Sequence, residues 1–260
     1  MVYKMEEQVN ALEEKKVRNI KLILAYDGGK YHGFQRQNNA ISVQNVLEKK
    51  LAIVFGGEIK LAASGRTDAG VHAYGQVVSF LTEGTIPIDR VVRAINSHLP
   101  ADIVVRSAEE VALEFSARHS AKDKIYIYKI QQGEVLDPFK RQYAWYIRKE
   151  LNVDKMNEAM QCIVGTHDFS AFRAVGSAPM HPVRTIFEAK CKLEGDTIEF
   201  FFWGNGFLYH MVRNLVGTLV NVGKGKSTLE CFKGILEGKD RQKAGMTAPA
   251  QGLYLKKVNY

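Results

Sequence analysis

The alternation of apolar and polar positions divides this chain into short strands and helices. Asn19 to Tyr26 (NIKLILAY) sets apolar side chains between basic and polar ones and ends at Asp-Gly-Gly, a strand running into a turn. After a polar, Gly-containing stretch, Ser42 stands as a natural N-cap, and Ile41 before it can staple against Val46. Val43, Val46, Leu47, Leu51 and Val54 make a helical stripe that Gly56-Gly57 stops. Ile59 to Ala63 and Gly75 to Leu81 read as strands bracketing a cluster of small and charged residues. Ile88 to Leu99 reads as a helix and Ile103 to Ala108 as a strand.

The pattern then begins again. Lys124 to Ile130 (KIYIYKI) alternates strictly, and Val153 to Val164 is a helix starting after Asn152. Arg184 to Leu193 and Thr197 to Trp203 pair around a Glu-Gly-Asp turn. Gly206 to Val222 predicts a long helix with Phe207, Met211, Leu215, Leu219 and Val222 on one face. Leu229 to Glu237 is another helix and Gly252 to Val258 a last strand. Strands and helices in two similar halves predict an α+β fold with mostly antiparallel sheet. The division expected is a helical extension over residues 1–18, an N-terminal half over 19–112 and a C-terminal half over 113–260. No Pro- or Gly-rich linker marks the boundary, so the halves should share an interface.

Composition narrows the class. With 46% apolar and 25% charged residues in 260, the chain has the mix of a globular protein, which excludes wholesale disorder, collagen and a small disulfide scaffold. No apolar run approaches the ~18 residues of a membrane span, and Met1 to Arg18 lacks a signal-peptide core, so the expectation is a cytoplasmic protein. Cys162, Cys191 and Cys231 are far apart and odd in number, without a CxxC pair, and read as buried reduced thiols. The net charge of +8 favours a polyanionic partner such as nucleic acid.

Candidate chemistry concentrates in Ser64-Gly-Arg-Thr-Asp-Ala-Gly-Val-His-Ala73. One carboxylate, Asp68, and one guanidinium, Arg66, lie among small residues that permit close approach of a backbone or ligand. Taken alone, the same string also fits an Asp that bonds nearby amides in a tight turn.

The string Ala-Ser-Gly-Arg-Thr-Asp-Ala-Gly-Val-His-Ala resembles the central motif of the tRNA pseudouridine synthase A family. Further segments match in family order: Tyr26-Asp-Gly-Gly-Lys-Tyr-His-Gly-Phe-Gln-Arg-Gln37, Ser42-Val-Gln, Arg93-Ala-Ile-Asn, Phe115-Ser-Ala-Arg118, Lys124-Ile-Tyr126-Ile-Tyr128, His167-Asp-Phe-Ser-Ala-Phe-Arg173, Phe207-Leu-Tyr-His-Met-Val-Arg213-Asn and Gly252-Leu-Tyr-Leu255. The resemblance covers about residue 19 to 260. It implies a pseudouridine-synthase fold: two similar halves, helices on one face of each sheet, and a central active-site cleft.

It also implies an isomerase that detaches uracil from C1′ of a uridine, turns it over and rejoins it through C5, at positions 38, 39 and 40 of the tRNA anticodon stem-loop. Such a reaction needs no redox cofactor or metal. By the resemblance, Asp68 is the essential carboxylate, acting at C1′, at C6 or as a base at the 2′ carbon. Arg213 pairs with it, and Tyr126 faces the extruded base and offers a hydroxyl for the C5 proton. Of Leu253 and Leu255, Leu255 is the choice to pack against the base, and Arg66 contacts backbone phosphate and takes the place of the extruded base, where without the resemblance it also fits an ion pair with Asp68. Further phosphate binding falls to the collective charge of Lys30, Arg36, Arg90, Arg93, Arg118, Lys122 and Lys124. Without the resemblance, Arg213 also fits a solvated helix charge and Tyr126 a core tyrosine. His72 and His210 read as structural or RNA-contacting, and His167-Asp168 as part of a turn packed by Phe169 and Phe172. The family implies a homodimer with tRNA reaching across both subunits.

Two other classes compete. An RNA-binding protein without catalysis lacks the expected Lys/Arg-Gly-Phe-Gly-Phe-Val run. A nucleoside glycosidase needs a second carboxylate, and none lies near Asp68 in sequence.

Overall fold

A computed structural model describes residues 17–174, 176 and 181–260; residues 1–16 of the expected helical extension lie outside the described residues. Ten strands and five α-helices are present among them. The first half runs β1 (Arg18–Tyr26), α1 (Val43–Phe55), β2 (Ala62–Ala63), β3 (His72–Thr82), α2 (Ile88–Asn96) and β4 (Ile103–Val111). The second runs β5 (Asp123–Gln132), β6 (Trp145–Ile147), α3 (Val153–Gln161), β7 (Gly165–Asp168), β8 (Val183–Glu194), β9 (Thr197–Gly204), α4 (Met211–Gly223), α5 (Leu229–Gly238) and β10 (Leu253–Asn259).

The apolar alternation of β1 shows why the first half folds. Ile20, Leu22, Leu24 and Tyr26 are all buried on one face. Helix α1 covers that face with Val43, Leu47, Leu51 and Phe55, and the Phe55 ring meets Phe80 edge-on at 5.2 Å. Each such side chain contributes roughly 1.5–3 kcal/mol by leaving water. Ser42 caps the helix by accepting from the Asn45 N–H at 3.2 Å, whereas Ile41 is 64% exposed, so the start of α1 rests on the cap and not on a staple.

All ten strands join one sheet, in the order β4-β1-β3-β10-β5-β9-β8-β7, with β2 on β3 and β6 on β5. Pairing is antiparallel except where β10 runs parallel to β3 and β6 parallel to β5. The C-terminal strand β10 thus lies between β3 of the first half and β5 of the second and joins them into one sheet. Its register builds a row of side chains on one face: Tyr26, Ala73, Leu255, Tyr126, Phe202 and Ala189, on six adjacent strands.

Three expectations are corrected. Only Ala62–Ala63 of the 59–63 segment pairs as strand. The long helix starts at Met211, five residues later than expected, because His210 takes a left-handed backbone (φ 60°) that a helix cannot continue through. Phe207 therefore owes its apolar character to packing on the sheet, not to the helix stripe. Among the thiols Cys191 is buried, its pKa pushed up to about 12 by burial, but Cys162 is half-buried and Cys231 exposed. The segment after β7 turns at Ser170–Phe172, with Phe169 and Phe172 buried and Asp168 accepting from the Ser170 N–H at 2.9 Å.

Candidate active site

The loop from Ser64 to Val71, between β2 and β3, is held rigidly by the segment that follows β1. Thr67 O accepts from the Phe34 N–H at 3.0 Å, and Tyr31 O accepts from the Gly70 N–H at 3.2 Å. The Tyr26 hydroxyl bonds Thr67 Oγ1 at 2.8 Å. Gly33 has φ 86°, and a Cβ on it would stand 2.7 Å from Thr67 O, so this approach requires glycine. From β3, Gln76 binds the loop's other end: its Oε1 accepts from Ser64 Oγ at 2.6 Å and its Nε2 donates to Gly65 O at 2.9 Å.

The start of α4 brings two nitrogen partners to the carboxylate this loop presents. Arg213 Nη1 donates to Asp68 Oδ2 at 3.1 Å, and His210 Nε2 lies 3.2 Å from the same oxygen. Among the described residues no hydrogen bond reaches Oδ1. One oxygen is therefore committed and the other is free for a ligand.

Arg213 is itself fixed. Its Nε donates to Ala248 O at 2.7 Å, and its own carbonyl accepts from the Ala248 N–H at 3.1 Å. The chain at 246–248 lies this close because α4 carries Gly217, where a Cβ would overlap Met246 O. Beside it, Asn214 Oδ1 accepts from Thr247 Oγ1 at 2.7 Å and from Arg241 Nη2 at 3.0 Å, while Asn214 Nδ2 donates to Phe172 O at 2.8 Å.

Burial of Asp68 works to raise its pKa. The hydrogen bond and charge of His210, then those of Arg213, outweigh it and hold the carboxyl below its ordinary value. The site carboxylate is thus ionised although only 22% of its side chain is exposed. Tyr126 stands on β5, buried, its ring edge-on to Phe207 at 5.0 Å. Burial first, then Tyr26 and Asp68, push its phenol well above its ordinary pKa, so the hydroxyl is neutral at neutral pH. The arrangement is a shielded anion with one unpaired oxygen, close enough to Tyr126 for its charge to act on the phenol.

A family model described as tRNA pseudouridine synthase matches residues 22–120 and 159–260. The chain belongs to the tRNA pseudouridine synthase family. Proteins named tRNA pseudouridine synthase A are similar over almost the whole chain. One from Thermoanaerobacter sp. (strain X514) is 46% identical over 244 residues, covering 94% of this chain and 100% of its own length. One from Exiguobacterium sp. (strain ATCC BAA-1283 / AT1b) is 48% identical, covering 94% and 98%. One from Acetivibrio thermocellus is 43% identical, covering 94% and 100%.

In this pseudouridine synthase the structure brings Asp68, Arg213 and Tyr126 to one face of the sheet. Arg66 and Arg118 are not part of that cluster: both are exposed and neither makes an ion pair among the described residues. Leu255 lies in register beside Tyr126 on the neighbouring strand and is buried. His210, expected to be structural or RNA-contacting, touches Asp68. Its place three residues before Arg213, in the segment Phe207–Arg213 that carries the resemblance, is the signal that points to it.

No helix among the described residues is long and apolar enough to cross a membrane. His167-Asp168 lies apart, on β7, with Asp168 paired to Lys239 at 3.3 Å.

Proposed function

We propose that this protein isomerises uridine to pseudouridine at positions 38, 39 and 40 of the tRNA anticodon stem-loop, with Asp68 as the essential carboxylate. The observation that carries the reading is the pairing of both Arg213 and His210 with Oδ2, which leaves Oδ1 of an ionised, shielded Asp68 open to substrate. Addition at C1′, addition at C6 and removal of a 2′ proton all need that free oxygen. Each is compatible with a net isomerisation: the uracil leaves C1′, turns, bonds through C5, and the proton lost from C5 replaces the one gained at N1.

In this reading Arg213 keeps Asp68 charged against the cost of burial and holds it in place. Tyr126 presents its ring to the extruded base, and Leu255 packs against that base. Because its phenol is neutral, its hydroxyl takes part in removing the C5 proton only by passing its own proton on as it accepts. Arg66, exposed two residues from Asp68, contacts backbone phosphate and takes the place of the extruded base; Arg118 adds a further phosphate contact. We place the protein in the cytoplasm, where its tRNA substrate is, and as a homodimer, which sedimentation measures.

The test is to incubate the protein with unmodified tRNA transcript and map pseudouridine at nucleotide resolution. Pseudouridine at positions 38–40 is expected. No product, or product only outside that arm, overturns the reading.

A further inference from the structure

Two half-buried cations, Lys124 against the Asp68 loop and Arg184 beside Gly206, have no carboxylate partner among the described residues. Lys124 lies two residues before Tyr126 on β5, so it shares that face and sits about 7 Å farther along the strand. Its ammonium reaches the loop: Nζ is 3.0 Å from where a Cβ on Gly65 would stand, three residues before Asp68. Arg184 is the second residue of β8, which lies beyond β9 from β5. Its Nε is 3.4 Å from the Cβ position of Gly206, next to the Phe207 whose ring meets Tyr126. Gly204 is in register with Lys124, so no long side chain from β9 fills the row beside it.

Neither cation makes an ion pair with a carboxylate among the described residues. Arg184 Nη1 donates to the carbonyls of His181 and Val183, both at 2.6 Å, which orients the guanidinium without neutralising it. Burial pushes both groups toward their neutral forms, and the charge of Arg184 adds to this on Lys124. Other lysines of this protein behave differently: Lys21 pairs with Glu109 at 2.8 Å and Lys239 with Asp168 at 3.3 Å. Two like charges held together in a half-buried notch oppose folding unless an anion joins them.

We propose that Lys124 and Arg184 form a binding site for a phosphate flanking the target uridine, next to the pocket that receives its base. This rests on the proposed uridine isomerisation, and it names the substrate group by which the nucleotide is registered over Asp68. A phosphodiester supplies the missing charge and accepts from both donors at once. Lys124 grips it from β5 and Arg184 from β8, on the side of Tyr126 away from Leu255.

The experiment uses synthetic anticodon stem-loop RNA with a single target uridine. Affinity is measured against salt for the wild type, Lys124→Gln, Arg184→Gln and the conservative Lys124→Arg. Each Gln variant is expected to bind about tenfold more weakly and to lower the salt slope by about one, with Lys124→Arg restoring both. RNAs bearing one neutral methylphosphonate, 5′ or 3′ of the target, identify the phosphate. At one of these two positions the wild type should lose about tenfold and the Gln variants should lose nothing further. Wild-type affinity and slope in both Gln variants, or undiminished losses on both methylphosphonate RNAs, overturn the proposal. Pseudouridine formation by the wild type is scored separately. A wild type that makes product while the variants bind normally sinks the phosphate site alone, and one that makes none sinks the isomerase reading.

Discussion

Arg213 on α4 and Asp68 in the loop before β3 are 145 positions apart, yet Nη1 stands 3.1 Å from Oδ2. The contact works against burial, which pushes the carboxyl pKa up. It also takes up the oxygen that His210 touches, so that Oδ1 stays free.

Asp68→Asn keeps the shape of the side chain and removes its charge. Turnover should fall by about 10⁴-fold or more, while affinity for anticodon stem-loop RNA stays within a few fold. Single-turnover assays and filter binding check this; full activity would end the assignment of Asp68.

The lowered pKa of Asp68 fixes the sign of its pH dependence. Its stabilising contribution is present above the ordinary carboxylate value of about 4 and is lost as pH falls through the lower folded value. Arg213→Met leaves burial less opposed and raises that folded value. The acid limb of the kcat/KM profile should therefore move to higher pH; an unmoved limb would mean that His210 alone holds the charge.

Tyr126→Phe keeps the edge-on packing against Phe207 and deletes only the hydroxyl. RNA affinity should be unchanged and product formation about a hundredfold slower. Unaltered product formation would restrict Tyr126 to stacking.

Gly217→Ala puts a Cβ into Met246 O and pushes away the segment whose Ala248 carbonyl anchors Arg213. Urea unfolding should show a loss of about 1–3 kcal/mol, with turnover falling alongside. Wild-type stability would show that residues 246–248 move aside freely.

Much of the secondary structure was legible because burial imposes a period of two on strands and 3.6 on helices. β5, β8 and β9 fall within a residue or two of the expected spans. The start of α4 was not, since Phe207 extends the helical apolar spacing while packing on Tyr126, and only the left-handed backbone of His210 ends the pattern. The short strands β6 and β7 are not legible in the sequence either, because three or four residues carry too little periodicity.

The residues at the site belong to the sequence: the loop string around Asp68, the alternation that puts Tyr126 and Lys124 on one face, and Arg213 one turn after His210 are all local. Their meeting belongs to the tertiary structure. Alternation says that 253–259 is a strand but not which strands it joins, since backbone hydrogen bonds are the same for any partner. Once β10 lies between β3 and β5, the loop that leads into β3 and the strand that carries Tyr126 stand two strands apart, about 10 Å, and α4 brings Arg213 to Asp68.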